Sequence, residues 1–168
     1  MIDQYNPQNG SFIIGGKRIK IRPTDVSLMF GIINGDEEIN HSYTQRVESE
    51  FVTRRFDGEK EIKISSIKNA VTVAAAGNSR DDVQDVARLL CLLLCGSLFF
   101  ASSGERVKWG FVYYVQDLDR MREYNWCKAI LDELLGSMGK ANNDPSKVTG
   151  CTTLLQVKFF FAIFVTSN

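Results

Sequence analysis

Apolar positions change period along the chain, and each change marks an element. From Ser11 to Ile21 the pattern is short and alternating: Phe12-Ile13-Ile14, then Arg18-Ile19-Lys20-Ile21, with Gly15-Gly16 between. Alternation on either side of a glycine pair predicts a β-hairpin. Pro23 then fixes a helix start, with Thr24 as N-cap, Asp25 at the positive end of the dipole and Gly31 as the stop. Beyond Asn34-Gly35-Asp36 the period becomes helical. Tyr43, Val47, Phe51 and Val52 form one stripe in a helix from Ser42 to Phe56. Ser65 to Ala76 predicts a second, capped by Ser65 or Ser66 and ended by Gly77-Asn78, and Ser79 with Asp81-Asp82 opens a third.

From Val83 to Phe100 that third helix is apolar on nearly every side, as suits the centre of a helical domain. We therefore expect Leu90, Leu93 and Leu94 to be buried against the helices that carry Trp109 and Trp126. After Ser102-Ser103-Gly104, the residues Trp109, Val112, Tyr113, Val115 and Leu118 supply an aromatic helix face. Asp117, Asp119, Arg120 and Arg122 form its wet end. Asn125 caps the next helix, with Trp126, Ile130, Leu134 and Leu135 at helical spacing, and a polar loop spans Met138 to Ser146. The last helix begins near Thr149. Its Phe159, Phe160, Phe161, Ile163 and Phe164 surround it with apolar groups, so part of that surface is expected to stay exposed. The fold class is mainly α, a helical domain over residues 11–168 with a small N-terminal β-hairpin, after a loose segment at 1–10. There is no internal repeat.

Composition narrows the function classes. In 168 residues, 44% are hydrophobic and 11% aromatic, which suits one domain with a real core. Twenty basic and twenty acidic side chains leave zero net charge. Phosphate neutralisation dominates nucleic-acid affinity, so nucleic acid is a partner that the charge does not support. Gln45 to Lys63 mixes both signs equally and suits a solvated surface. The polar start MIDQYNPQNG lacks a signal-peptide pattern. The longest apolar run, Leu89 to Phe100, falls short of the roughly 20 residues a membrane span needs. The expectation is a soluble intracellular protein with no membrane partner.

Candidate chemistry is sparse. His41 is the only histidine and has no nucleophile motif beside it. Cys91 and Cys95 share a helix face and could begin a zinc site with Cys127, Cys151 or His41, but leucines flank both thiols. We read all four cysteines as free thiols. Gly15-Gly16-Lys17 is a turn and lacks a phosphate-loop pattern. Asp117, Asp119 and Glu123 spread around their segment among Arg120 and Arg122, which suits surface ion pairs. Trp109, Tyr113, Tyr114, Tyr124 and Trp126 lack the interleaved cations of a base-stacking platform. No catalytic, cofactor or metal residue is assigned. Arg120 and Arg122 remain as a possible interaction face.

Four segments in order carry a resemblance: Ile19–Gly31 (IKIRPTDVSLMFG), Leu89–Gly104 (LLCLLLCGSLFFASSG), Val107–Ala129 (VKWGFVYYVQDLDRMREYNWCKA) and Gly150–Gln156 (GCTTLLQ). Together they resemble the plant mobile domain, also called aminotransferase-like, of the family that includes the MAIN-like proteins. The matching positions are Gly31, Trp109, Asp117, Leu118, Tyr124, Trp126, Gly150, Leu155 and Gln156, read as structural. The resemblance implies a nuclear, non-catalytic interaction role, derived from or encoded by a transposable element. The family is linked with transposon silencing, gene expression and meristem maintenance, and with a phosphatase-like protein as partner. A pyridoxal-dependent or hydrolytic enzyme and a direct nucleic-acid binder are the alternatives. Where the family continues with a Trp and an aromatic–Glu–His stretch, this chain has Val157-Lys158-Phe159-Phe160-Phe161, so a domain truncated at the C-terminus is expected.

Overall fold

The computed structural model describes residues 4–40, 44–141 and 144–166, and no side chain at 162, 163, 165 or 166. Its N-terminal sheet has strands β1 (Tyr5–Asn6), β2 (Ser11–Ile14) and β3 (Lys17–Lys20) in the order β1-β2-β3, all antiparallel. The hairpin turns at Gly15-Gly16, with Ile14 opposite Lys17 and Phe12 opposite Ile19. The expectation of a loose opening segment gives way at Tyr5 and Asn6, which add a strand to the hairpin; no hydrophobic alternation marked it. Tyr5 and Phe159 both stack on the buried Phe12, which anchors the sheet to the helices.

Seven α-helices among the described residues follow: α1 (Pro23–Phe30), α2 (Glu50–Phe56), α3 (Ile64–Ala76), α4 (Arg80–Leu94), α5 (Gly110–Val115), α6 (Trp126–Lys140) and α7 (Thr152–Thr166). The fold is mainly α, as the periodicity implies. A second small sheet pairs β4 (Ile62–Lys63) with β5 (Arg106–Val107). One core cluster joins Phe12, Val26, Val52, Phe56, Ile62, Ile67, Leu89, Leu92, Ile130, Leu134 and Leu154.

Several boundaries differ from the expected ones for local reasons. Arg22, not Thr24, is the N-cap of α1, and the Asp25 carboxylate accepts from the Arg22 N–H at 2.8 Å. Gly31 ends α1 with φ 66°, a conformation that glycine adopts without strain. The helix expected from Ser42 starts only at Glu50, because the Ser49 side chain caps it at the Val52 N–H. Ser42 and Tyr43 lie outside the described residues. Lys63, not a serine, occupies the N-cap position of α3 without a side-chain hydrogen bond, since the chain enters the helix directly from β4. Ser79 caps α4 with Asp82 returning the bond, and the Asn125 side chain caps α6 through the Lys128 N–H.

The main correction concerns α4. Its buried face is Asp85, Leu89 and Leu92, continued by Cys95 in a π-turn at Cys95–Phe99. Leu90 and Leu94 are 46% and 45% exposed and Leu93 is half-buried, so the wrong leucines were expected inside. A run of leucines carries no phase information, and the phase is set by a charged residue turned inward. In α5, Tyr114 is buried while Tyr113 is half-exposed. Phe159 of α7 is buried, and Phe160, Phe161 and Phe164 are 60–66% exposed, as their spread around the helix implies. The Ile163 side chain is outside the description.

These positions fix an expected outcome. Leu92→Ala opens a cavity and should cost about 2–5 kcal/mol. Leu94→Ala trims a side chain half in solvent and should cost about 1 kcal/mol or less. Urea denaturation of the two variants checks the phase of α4, and equal losses would contradict it.

Candidate functional site

The most concentrated chemistry in the chain surrounds Asp85, the one fully buried carboxylate among the described residues. It lies one turn into α4, facing α2. Arg54 donates to it from Nε and Nη2 at 3.1 and 3.2 Å, Arg55 from Nε at 2.8 Å and Arg88 from Nη1 at 2.8 Å. Both carboxylate oxygens are thus held by guanidinium groups. Adjacent arginines can both reach it because α2 is short and ends against α4.

The arginines are in turn anchored. Arg55, 7% exposed, also donates to Asp82 Oδ1 at 2.5 Å. Arg88 donates to the Gln116 carbonyl at 2.8 Å and to Gln84 Oε1 at 3.1 Å, and lies over the Phe51 ring. Arg54 approaches Asp81 and Glu50 at 3.7 Å. Burial works to raise the Asp85 pKa, and the three arginine hydrogen bonds outweigh it, leaving the carboxyl below its usual range. Asp82 falls to about 2 through the Ser79 hydroxyl and Arg55. The cluster ties α2, α4 and the end of α5 into one unit. Its donors and acceptors are directed at one another.

Arg120 and Arg122 both lie exposed on the 3-10 turn Arg120–Glu123. Arg120 is engaged within the chain: it pairs with Glu37 and Glu123 at 3.2 Å each and lies 5.7 Å from the Tyr124 ring. Arg122 is exposed, with no described partner. Asp117 accepts from the Asp119 and Arg120 N–H groups, a turn cap and not a cation cradle. Among the described residues no group of three or more His, Cys, Asp or Glu could hold a metal ion. His41 lies outside the described residues.

The other resemblance positions have assignable places. Trp109 is buried, stacks edge-on with Phe56, lies under Arg46 and donates to the Lys60 carbonyl at 3.0 Å. Trp126 donates to the Met121 carbonyl at 2.8 Å. Tyr124 stacks on Tyr114, and its carbonyl accepts from the Gly35 N–H, so the strap before α2 is stitched onto it. Leu118 is half-buried, Leu155 buried and Gln156 exposed. Gly150 has φ 90°, and a Cβ there would press on the Leu134 backbone.

Two depressions adjoin the resemblance positions Trp109 and Trp126. A cleft of about 440 Å³ beside Trp109 has Lys60, Glu61, Arg106, Lys108 and Glu133 at its rim and Cys95 among its walls. Arg106 and Glu61 pair across it at 2.7 Å. Burial pushes the Cys95 thiol far up, so it is no thiolate nucleophile. A second, apolar groove of about 210 Å³ is bounded by Phe30, Leu94, Phe99, Met121 and Trp126. The described cysteines are free, and burial raises the pKa of each. Sequence reasoning missed the Asp85 cluster by treating Gln45 to Lys63 as solvated. The available signal was Arg54-Arg55 together with the i, i+3, i+6 series Asp82, Asp85, Arg88.

Removing the carboxylate leaves three guanidinium groups facing a buried gap. Asp85→Asn should destabilise by about 3–5 kcal/mol, and Arg54→Ala, on the wet edge, by about 1 kcal/mol. Both acids have folded pKa values below the unfolded one near 3.9. The contribution of Asp82 and Asp85 is therefore present above about pH 4 and is lost as pH falls through the folded values, which for Asp82 is about 2. Urea titrations between pH 7 and pH 2.5 check this, with Asp85→Asn showing a flatter acid limb.

Comparison with known proteins bears on identity. The chain is 25% identical over 174 residues to Protein MAIN-LIKE 1 of Arabidopsis thaliana, covering 96% of this chain and 34% of the relative. It is 24% identical over 168 residues to Protein MAIN-LIKE 2 of the same plant, covering 93% and 25%. The chain thus spans about a third and a quarter of these relatives. No solved structure matches it. The two relatives support a place in the MAIN-like family, and a match over residues 1–156 shows that the chain belongs to the family described as Domain of unknown function (DUF8566).

Proposed function

We propose that the chain is a non-catalytic interaction module of the plant mobile domain type, acting in the nucleus on a protein partner. The observation that carries this is the contrast between a self-satisfied interior and an unsatisfied exterior. Inside, Asp85 spends its hydrogen-bonding capacity on Arg54, Arg55 and Arg88, and Cys95 is buried as a neutral thiol. Outside, Leu28, Phe160, Phe161 and Phe164 stand 60–86% exposed. Large exposed apolar groups suit protein contacts.

The nuclear setting, the link to transposable elements, transposon silencing and meristem maintenance, and a phosphatase-like partner are what the resemblance of the segments Ile19–Gly31, Leu89–Gly104, Val107–Ala129 and Gly150–Gln156 implies. The described helices include none long and apolar enough to cross a membrane. An aminotransferase would need a lysine buried against a cofactor phosphate site. The lysines at the cleft beside Trp109, Lys60 and Lys108, are exposed.

A fluorescent fusion expressed in Arabidopsis cells should concentrate in nuclei. Proximity labelling should mark the phosphatase-like protein, with labelling reduced several-fold by Phe160→Ser/Phe164→Ser. Cytoplasmic retention and unchanged labelling would count against the module. A borohydride-trapped pyridoxal adduct on one lysine would favour the enzyme instead.

A further inference from the structure

The N-terminal hairpin concentrates positive charge in a chain whose net charge is zero. Lys17, Arg18, Lys20 and Arg22 are all exposed, and none has a described ion-pair partner. Among the described residues from Gln4 to Ile33, Asp25 is the one acid, and Lys158 neutralises it at 2.7 Å. Arg18, Lys20 and Arg22 recur every second residue. β3 therefore displays Arg18 and Lys20 on one face about 6.6 Å apart, Arg22 follows in extended backbone at the N-cap of α1, and the alternate residues Ile19 and Ile21 are half-buried and buried. Arg18, Lys20 and Arg22 line a cleft of about 410 Å³ together with Thr24, Asp25 and Lys158.

The same strand is an open edge. β3 is outermost in the order β1-β2-β3, and no described strand pairs with its far side. Ile14 and Lys17 flank the two-residue turn as a hydrogen-bonded pair, so the ladder alternates from there. The backbone N–H and C=O groups of Arg18 and Lys20 consequently face away from β2. No other described backbone bond occupies them.

We infer that β3 binds an extended acidic peptide as an added strand, with carboxylates at alternate positions facing Arg18, Lys20 and Arg22. Main-chain pairing along the edge supplies affinity and the two-residue charge repeat supplies specificity. The inference rests on the interaction-module function and names the chemistry of one partner. A nucleic acid would gain the charge contacts but has no peptide groups to pair with the edge. The cleft also offers no aromatic ring for base stacking. Charges on an edge strand also serve to repel other edges, and that alternative is distinguished below.

The test is fluorescence anisotropy at low salt, using the full chain. The probe is a labelled nonapeptide of alternating glutamate and threonine. Its N-methylated counterpart and a nine-nucleotide oligothymidylate are the controls. The peptide should bind, N-methylation at alternate residues should abolish binding, and Arg18→Gln/Lys20→Gln should weaken it about tenfold. Circular dichroism verifies that the variant stays folded. Binding unaffected by N-methylation, or oligothymidylate bound as tightly, would overturn the inference. So would a variant that aggregates while keeping peptide affinity, which would leave the cations as edge guards. Loss of the inference with partner labelling intact would leave the interaction-module function standing.

Discussion

One buried carboxylate sets the arrangement of this domain. An ionised Asp85 removed from water is tolerable only if its charge and lone pairs are matched, and Arg54, Arg55 and Arg88 do so. That requirement brings the end of α2 onto the first turns of α4 and fixes the rotation of α4 about its axis. Leu89 and Leu92 then fall inside on the same face, and Leu90 and Leu94 fall outside. Hydrophobic burial supplies the driving force, and the ionic cluster decides which hydrophobic residues are buried.

The same constraint shapes the surface. Because α4 turns its charged stripe inward, part of its leucine stripe faces out, where Leu94 borders the apolar groove with Phe30 and Trp126. At the opposite extreme, the hairpin holds cations outward beside an open strand edge. Polar inside and apolar outside at one place, and charge massed on an otherwise neutral chain at another, are the features that point to binding. Such features cost stability or solubility unless something uses them.

Much of the architecture was legible because local chemistry and fold agree there. Gly15-Gly16 turns the hairpin, Gly31 stops α1, Ser79 opens α4 and Asn125 opens α6. Legibility failed where a residue type contradicted its usual placement. Arg54, Arg55 and Asp85 look like surface charges until three-dimensional pairing is known, and that pairing joins positions about thirty apart. Tyr5-Asn6 was equally hidden, since a two-residue strand leaves no period to detect. The pairing of Arg120 was hidden for the same reason as that of Asp85: its partner Glu37 is distant in sequence.

The central claim is that Asp85 remains ionised inside the folded domain because arginines hold it. A carbon-13 NMR titration of the Asp85 carboxyl measures this directly. The carboxyl shift should still be at its ionised value near pH 3.9, where ordinary aspartates are half titrated, and change only at lower pH. A native-state midpoint at or above about 4 would contradict the account.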